Sequence, residues 1–267
     1  MKKSLISFVF LCSFLILDGC IGIHEYDEPV VQPIIDPIDG SADIGTLFFH
    51  RVLAFDFTGT WCQHCPSMVI ALDSAKLLRP GRIVEVAVHQ YDEMSVPLSD
   101  TIVNHFSIST FPHVIFDFND ELGIQRHEVS LLTAQVDRAL NRLACGIAID
   151  ASDIGSVTIQ VHIVEAGEYR LCSLLVEDGV VARQAGYGDN YMNNSVLCSS
   201  ITTAYEGDPL GVLQPGQEVV RSFPVPSEGN LRIVTFVLQR QDDGRWLSIN
   251  AEQCALGNIQ PYRYEPS

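Results

Sequence analysis

The feature that most limits what this chain can fold into is a pair of cysteines set between a strand and a helix. Arg51 to Phe57 reads RVLAFDF, a β-rich run with no turn residue. Thr58-Gly59-Thr60 turns the chain, and Trp61-Cys62-Gln63-His64-Cys65-Pro66 follows. Over residues 67–78, apolar side chains recur at helical offsets, at Met68, Ala71, Leu72, Ala75 and Leu78. Pro66 falls in the first helical turn, where a missing N–H costs little. The cysteines therefore meet a helix N-terminus, whose free N–H groups and partial positive charge stabilise a thiolate. Cys62, at the outer end, is the expected nucleophile: it attacks a substrate disulfide, and Cys65 resolves the mixed disulfide. Asp56, flanked by Phe55 and Phe57 in an apolar run, is expected to be buried and to take the proton from Cys65, directly or through water.

Ile83 to Val88 predicts a second buried strand, residues 98–106 a weaker helix, and His113 to Phe118 a third strand after Thr110-Phe111-Pro112. A turn at Asn119-Asp120 and a short return over Leu122 to Ile124 follow. Leu132, Val136, Ala139, Leu140 and Leu143 mark a closing helix, with Ser130 as N-cap and Gly146 as stop. This layout, over residues 46–146, resembles a thioredoxin-like α/β domain. The resemblance is carried by the WCxxC after a buried strand, by Asp56 six residues before Cys62, and by Pro112 in a T-x-P ahead of a strand. It implies a cis Pro112 beside the pair, shaping a peptide groove. The sequence departs from the family at Ala87, where a lysine usually stands near the acid. His64, ahead of the second cysteine, is similar to the motifs of disulfide isomerases and periplasmic oxidases. That implies an oxidising or isomerising poise, tuned by Gln63 and His64, with Trp61 packed beside the pair. Two other readings of the CxxC stay open: half a zinc site, for which no second pair has matching spacing, and an inert structural disulfide.

After Gly146 the pattern changes. Val157, Ile159, Val161 and Ile163 alternate with polar residues, and Tyr169 to Val176, Val219 to Val225 and Ile233 to Leu238 also read as strands. Asp242-Asp243-Gly244 makes a hairpin turn toward Trp246 to Ile249. Strands with turn signals and little helix predict an antiparallel β-sandwich over residues 147–267. The stretch 185–217 reads as a long, poorly patterned loop. Its Asp189, Asn190, Asn193 and Asn194 lack calcium-loop spacing. Neither a metal nor a cofactor is expected.

Met1-Lys2-Lys3 and the apolar run Leu5 to Leu17 fit a signal peptide over residues 1–19, the run being shorter than the roughly 20 residues of a spanning helix. Leu17-Asp18-Gly19-Cys20 resembles a bacterial lipobox, with Asp18 departing from the small residue preferred there; Cys20 is the expected lipidation site and membrane anchor. Residues 20–45, acidic and punctuated by Pro29, Pro33 and Pro37, read as a tether. An exported, oxidising setting predicts that Cys145, Cys172, Cys198 and Cys254 form two structural bridges, in any of three connectivities. The formal net charge of −17 argues against a nucleic-acid partner and against a polybasic grip on lipid.

The whole chain resembles a Bacteroidota outer-membrane lipoprotein family named for a twenty-eight-kilodalton member, through its "FTGxWCxxCP" stretch at Phe57 to Pro66 and, more weakly, Asn193 to Leu197 and Asn250-Ala251. The resemblance implies an outer-membrane location, on the periplasmic face or the cell surface. It supports a thioredoxin-like domain joined to a β-domain. The expected function is a membrane-tethered thiol–disulfide oxidoreductase with protein thiol or disulfide clients. The alternative is a non-catalytic surface binding lipoprotein on the same scaffold.

Overall fold

The computed structural model describes residues 47–266. The expected signal peptide, the lipidation site Cys20 and the tether lie outside the described residues. The chain opens with β1 (Val52–Thr58), α1 (Cys65–Leu78) and β2 (Ile83–His89). α2 (Pro97–His105), β3 (His113–Phe116), β4 (Asn119–Ile124) and α3 (Val129–Ala139) follow. Strands then dominate: β5 (Gly146–Asp150), β6 (Ser156–His162), β7 (Gly167–Glu177), β8 (Val180–Gln184), β9 (Gly188–Asn193) and β10 (Val196–Ser200). The last are β11 (Asp208–Leu213), β12 (Glu218–Pro224), β13 (Leu231–Arg240), β14 (Trp246–Ala255) and β15 (Ile259–Gln260).

The expected fold class, a thioredoxin-like α/β domain followed by an all-β sandwich, does not hold. The molecule is mostly β, with three helices among the described residues. Strands β1 to β4 are not a sheet of their own. They form one end of a nine-stranded mixed sheet in the order β14-β13-β7-β10-β2-β1-β3-β4, with β11 added on β7. The joint is β10 running parallel to β2 at Val196 and Ala87, where the Ala87 amide donates to the Ser195 carbonyl at 2.8 Å. A four-stranded sheet, β12-β6-β5-β15, forms a second layer, and β8 pairs with β9 alone.

Why the sheet is shared follows from β1. All seven of its residues are buried, so both of its faces need cover. One face presents Val52 and Ala54 to Met68, Ala71, Leu72 and Ala75 of α1 and to Leu132 and Val136 of α3. The other presents Leu53, Phe55 and Phe57, and these pack with Leu174, Val176, Phe236 and Ala251 from far along the chain. Phe55 meets Phe236 edge to face at 6.1 Å between ring centres. The faces of β7, β13 and β14 turned the other way hold Leu171, Leu175, Ile233, Val237 and Ile249 against Ile147, Ile149, Val157 and Ile159 of the second sheet. Sheet-on-sheet packing is therefore present, but its larger layer is the sheet that also contains β1.

Smaller expectations are also corrected. Leu78, the last apolar offset of α1, is 58% exposed. Ser130 lies inside α3, whose N-cap is Glu128. Gly146 begins β5 instead of ending a helix. Residues 185–217 contain β9, β10 and β11 rather than one long loop. The two structural bridges are not formed. Cys145, Cys172 and Cys254 are buried thiols, and the Cys198 sulfur faces the Val196 carbonyl at 3.5 Å. Burial pushes the Cys254 thiol up to about 11 and raises Cys145 and Cys172 well above the usual thiol range, which disfavours their thiolates.

Candidate functional site

β1 ends at Thr58, and the turn from Gly59 carries the chain to α1. Cys62 and Cys65 are joined as a disulfide across that turn. Cys62 is 5% exposed and Cys65 1%. The Cys62 amide donates to the Gly59 carbonyl at 3.0 Å, which sets the sulfur at the head of the helix. α1 has no side-chain cap and no acid in its first turn, and Pro66 stands where an amide is dispensable. The positive end of the helix is therefore left to the cysteines. Gln63 and His64 are exposed on the outer side of the turn.

Trp61 lies half exposed. Its Nε1 donates to the Gln90 carbonyl at 2.7 Å, and its ring meets Phe111 edge to face at 5.3 Å. Gly59 is glycine for a packing reason: a Cβ there would lie 2.6 Å from Trp61 Nε1 and 3.0 Å from the Gln90 carbonyl. The Phe111–Pro112 peptide is cis, and Pro112 is buried at the start of β3.

Asp56 shares the face of β1 that carries Val52 and Ala54, so it points into the α1 layer. It is buried, and neither carboxyl oxygen has a hydrogen-bond partner. Burial, with the Glu85 carboxylate adding to it, drives its pKa well above the carboxylate range; Lys76 opposes this. Burial thus favours the neutral form of Asp56. A cavity of about 150 Å³ lies beside it, lined by Pro66, Lys76, Glu85, His89 and Tyr191 among others. Lys76 is ion-paired to Glu85 there. A cation thus stands near the acid although Ala87 holds the position where the sequence comparison placed one.

Several residues at the site carry no role that the sequence assigned. The side chains of His89 and Asp92 are both 1% exposed and hydrogen-bonded at 2.8 Å, and Asp92 accepts the Thr60 amide at 2.8 Å. Burial pushes Asp92 up, but the hydrogen bonds from His89 and Thr60 outweigh it and hold it below its usual range. Gln184, at the end of β8, donates from Nε2 to the carbonyls of Gly59 (3.2 Å) and Cys62 (2.8 Å), and the Ala185 amide donates to Thr60 (2.7 Å). The spacing of His89 and Asp92 at the end of a strand was the one available hint. Gln184 is over a hundred residues away in an unpatterned stretch, and nothing local marks it. His113 stands at the start of β3, its pKa lowered by burial.

The model of the family "Outer membrane protein Omp28" matches residues 99–260, more than half of the chain. This chain belongs to the Omp28 outer membrane protein family. Its location is accordingly the outer membrane. The matched stretch begins after Cys65, so the family assignment rests on the later strands and not on the disulfide. No curated protein matches the sequence. Among solved structures, HBP35 of Porphyromonas gingivalis is similar at 17% identity, with a TM-score of 0.66 over 80% of this chain and 77% of that one. A structural-genomics target from Agrobacterium tumefaciens is similar at 14% identity, with a TM-score of 0.58 over 78% of this chain and 94% of that one. Both likenesses concern the fold. No helix among the described residues is long and apolar enough to cross a membrane, which leaves crossing by strands untouched.

Proposed function

We propose that this Omp28-family protein is a binding protein of the outer membrane, which takes polypeptide partners on the aromatic rim around Cys62–Cys65. The observation that carries the reading is the exposure of that rim. Trp61 is 46% exposed, Tyr91 77% and Tyr187 49%, and all three sit around one turn. Tyr91 follows Gln90, which holds Trp61, and Tyr187 follows Ala185, which holds Thr60. Clustered exposed aromatics combine apolar area with a polar edge, as interfaces do. The net charge of −17 favours basic segments. The test uses the full chain and a permanently unfolded, basic polypeptide with its cysteines alkylated, followed by fluorescence anisotropy. Trp61→Ala with Tyr187→Ala should weaken binding about tenfold or more, the loss of one or two hot-spot side chains. Equal binding by wild type and variant rejects the rim.

A second reading is favoured by the disulfide's surroundings: this face exchanges disulfides with what it binds. The uncapped start of α1 favours a Cys62 thiolate, and Asp56, whose neutral form burial favours, points into the layer where Cys65 begins the helix. In the direction that oxidises the client, a client thiolate bonds to the Cys62 sulfur and the Cys62–Cys65 bond breaks. Cys65 leaves as a thiolate and takes the Asp56 proton. A second client thiol, giving its proton to solvent, then displaces Cys62 as a thiolate and closes the client disulfide. Titration in graded glutathione buffers separates the two readings. A pair that switches reversibly at roughly −120 to −270 mV supports exchange, and one locked below about −300 mV is structural and leaves binding alone.

A further inference from the structure

The β8–β9 hairpin is fastened to the disulfide turn by polar contacts at its tip. β8 and β9 pair with no other strand. Their apolar hold on the body is light: Ala182 and Val180 pack with Met94 and Val196, while Val181 and Met192 stay exposed. The tip is different. Gln184 is only 3% exposed, and its amide nitrogen uses both hydrogens on the carbonyls of Gly59 and Cys62. The Ala185 amide takes the carbonyl of Thr60 between them. Three carbonyls of one four-residue turn are thus claimed by a hairpin that follows it by more than a hundred residues.

We propose that the hairpin and the Cys62–Cys65 pair form one coupled unit, with the hairpin held down in the disulfide form and loosened in the dithiol form. The disulfide closes a small ring through residues 62–65, which ties the Cys62 backbone to the head of α1 and presents its carbonyl to Gln184. When a small dithiol reduces the pair, the reductant's two S–H protons and two electrons pass to Cys62 and Cys65. The Cys62–Cys65 bond breaks, and the reductant's own disulfide forms. The turn then regains torsional freedom, and docking the hairpin has to order it again. Linkage makes the effect reciprocal: the docked hairpin makes the disulfide harder to reduce by the same factor that reduction weakens docking. With two of the three bonds made by one side chain, the factor is roughly fivefold, the low end of site-to-site couplings. The hairpin carries Tyr187, so oxidation state also sets one wall of the exposed rim. The inference needs only the disulfide and the hairpin, and it stands whichever reading of function holds.

Two experiments on the full chain test it. Hydrogen exchange of the wild type is followed in its disulfide form and after reduction with a small dithiol, with the β13–β14 amides as internal reference. The amides of Ala185 and of β9 should exchange about fivefold faster in the dithiol form, with the reference unchanged. Equal protection in the two forms overturns the proposal. Gln184→Ala, equilibrated in dithiol buffers, should shift the balance roughly fivefold toward the dithiol. An unchanged balance in a folded variant also overturns it. If the variant does not fold, the wild-type exchange experiment decides.

Discussion

A carboxyl buried without a full set of partners ties the stability of this fold to pH. Asp117 is fully buried, its Oδ1 accepts the Leu53 amide at 3.0 Å, and Oδ2 has no partner. Burial pushes its pKa up to about 7. Burial, helped by the charges of Arg142 and Arg82, lowers His50 to about 4. The two side chains approach to 3.9 Å, but between those values both are neutral and no ion pair forms. A carboxyl with a raised folded pKa stabilises the fold fully below its unfolded pKa, and that stability is lost as pH rises through the folded pKa. The window here runs from about 4 to about 7, and a shift of that size corresponds to roughly 4 kcal/mol. Asp117→Asn keeps an acceptor for the Leu53 amide and cannot ionise. The difference in stability between variant and wild type should therefore grow in the variant's favour from pH 4 to 7 and level off above. Urea unfolding at several pH values measures it, and a pH-independent difference would show that the wild-type acid is not held protonated. Asp56 was legible in the sequence as a buried acid because aromatic neighbours flank it. Asp117 was not: the expected strand ran on to Phe118, whereas the strand ends at Phe116 and Asp117 turns with a φ of +51°.

Among the elements, those with an apolar rhythm were readable and those built by backbone pairing were not. β1, β2, β6, β7, β13 and the start of β14 bury alternating or continuous apolar residues. β8, β9 and β11 are short and largely exposed and were not read as strands, whereas β12 was read, over Val219 to Val225, although it too is largely exposed. β11 exists because it pairs with β7, and the chain reaches it through Gly207 at φ +78°. A Cβ on Gly207 would lie 2.4 Å from the Cys172 sulfur and 2.5 Å from the Leu171 carbonyl. Neither atom has room to move, since Cys172 is fully buried and Leu171 belongs to the central strand β7. Gly207→Ala should destabilise the protein by about 3 kcal/mol, combining the strained φ with overpacking. Thermal unfolding would read it, and an unchanged midpoint would mean that β11 shifts freely off β7.

For the whole molecule, the decisive fact is that the first hundred described residues lack a complete core. Their Leu53, Phe55 and Phe57 face is closed by Leu174, Val176, Phe236 and Ala251. Backbone ties reinforce this. Asn250 accepts the Arg51 amide at 2.8 Å and donates to the Cys145 carbonyl at 2.7 Å, and the Ser248 amide donates to Asp117 at 2.9 Å. Residues 47–146 produced alone should therefore expose an aromatic face, bind an apolar dye and unfold without a cooperative transition. The full chain should show one. A sharp transition for the fragment, with no dye binding, would mean that its core closes without the later strands.

The sequence by itself determined the local things. It placed a disulfide-forming pair at a strand-to-helix junction, a buried acid in the strand before it, strands where apolar residues run or alternate, and a strongly acidic net charge. These depend on side-chain type and short spacing, which a chain carries in one dimension. The tertiary structure alone decided that β10 joins β2 and makes two expected domains share one sheet. It also decided that Gln184 fastens a distant hairpin to the disulfide turn, and that Cys145, Cys172 and Cys254 stay buried thiols. Each of these is a contact between residues far apart in the chain, made by backbone groups or single polar side chains that leave no periodic trace. Such contacts follow from how a strand buried on both faces finds its second cover, and that is settled only when the whole chain packs.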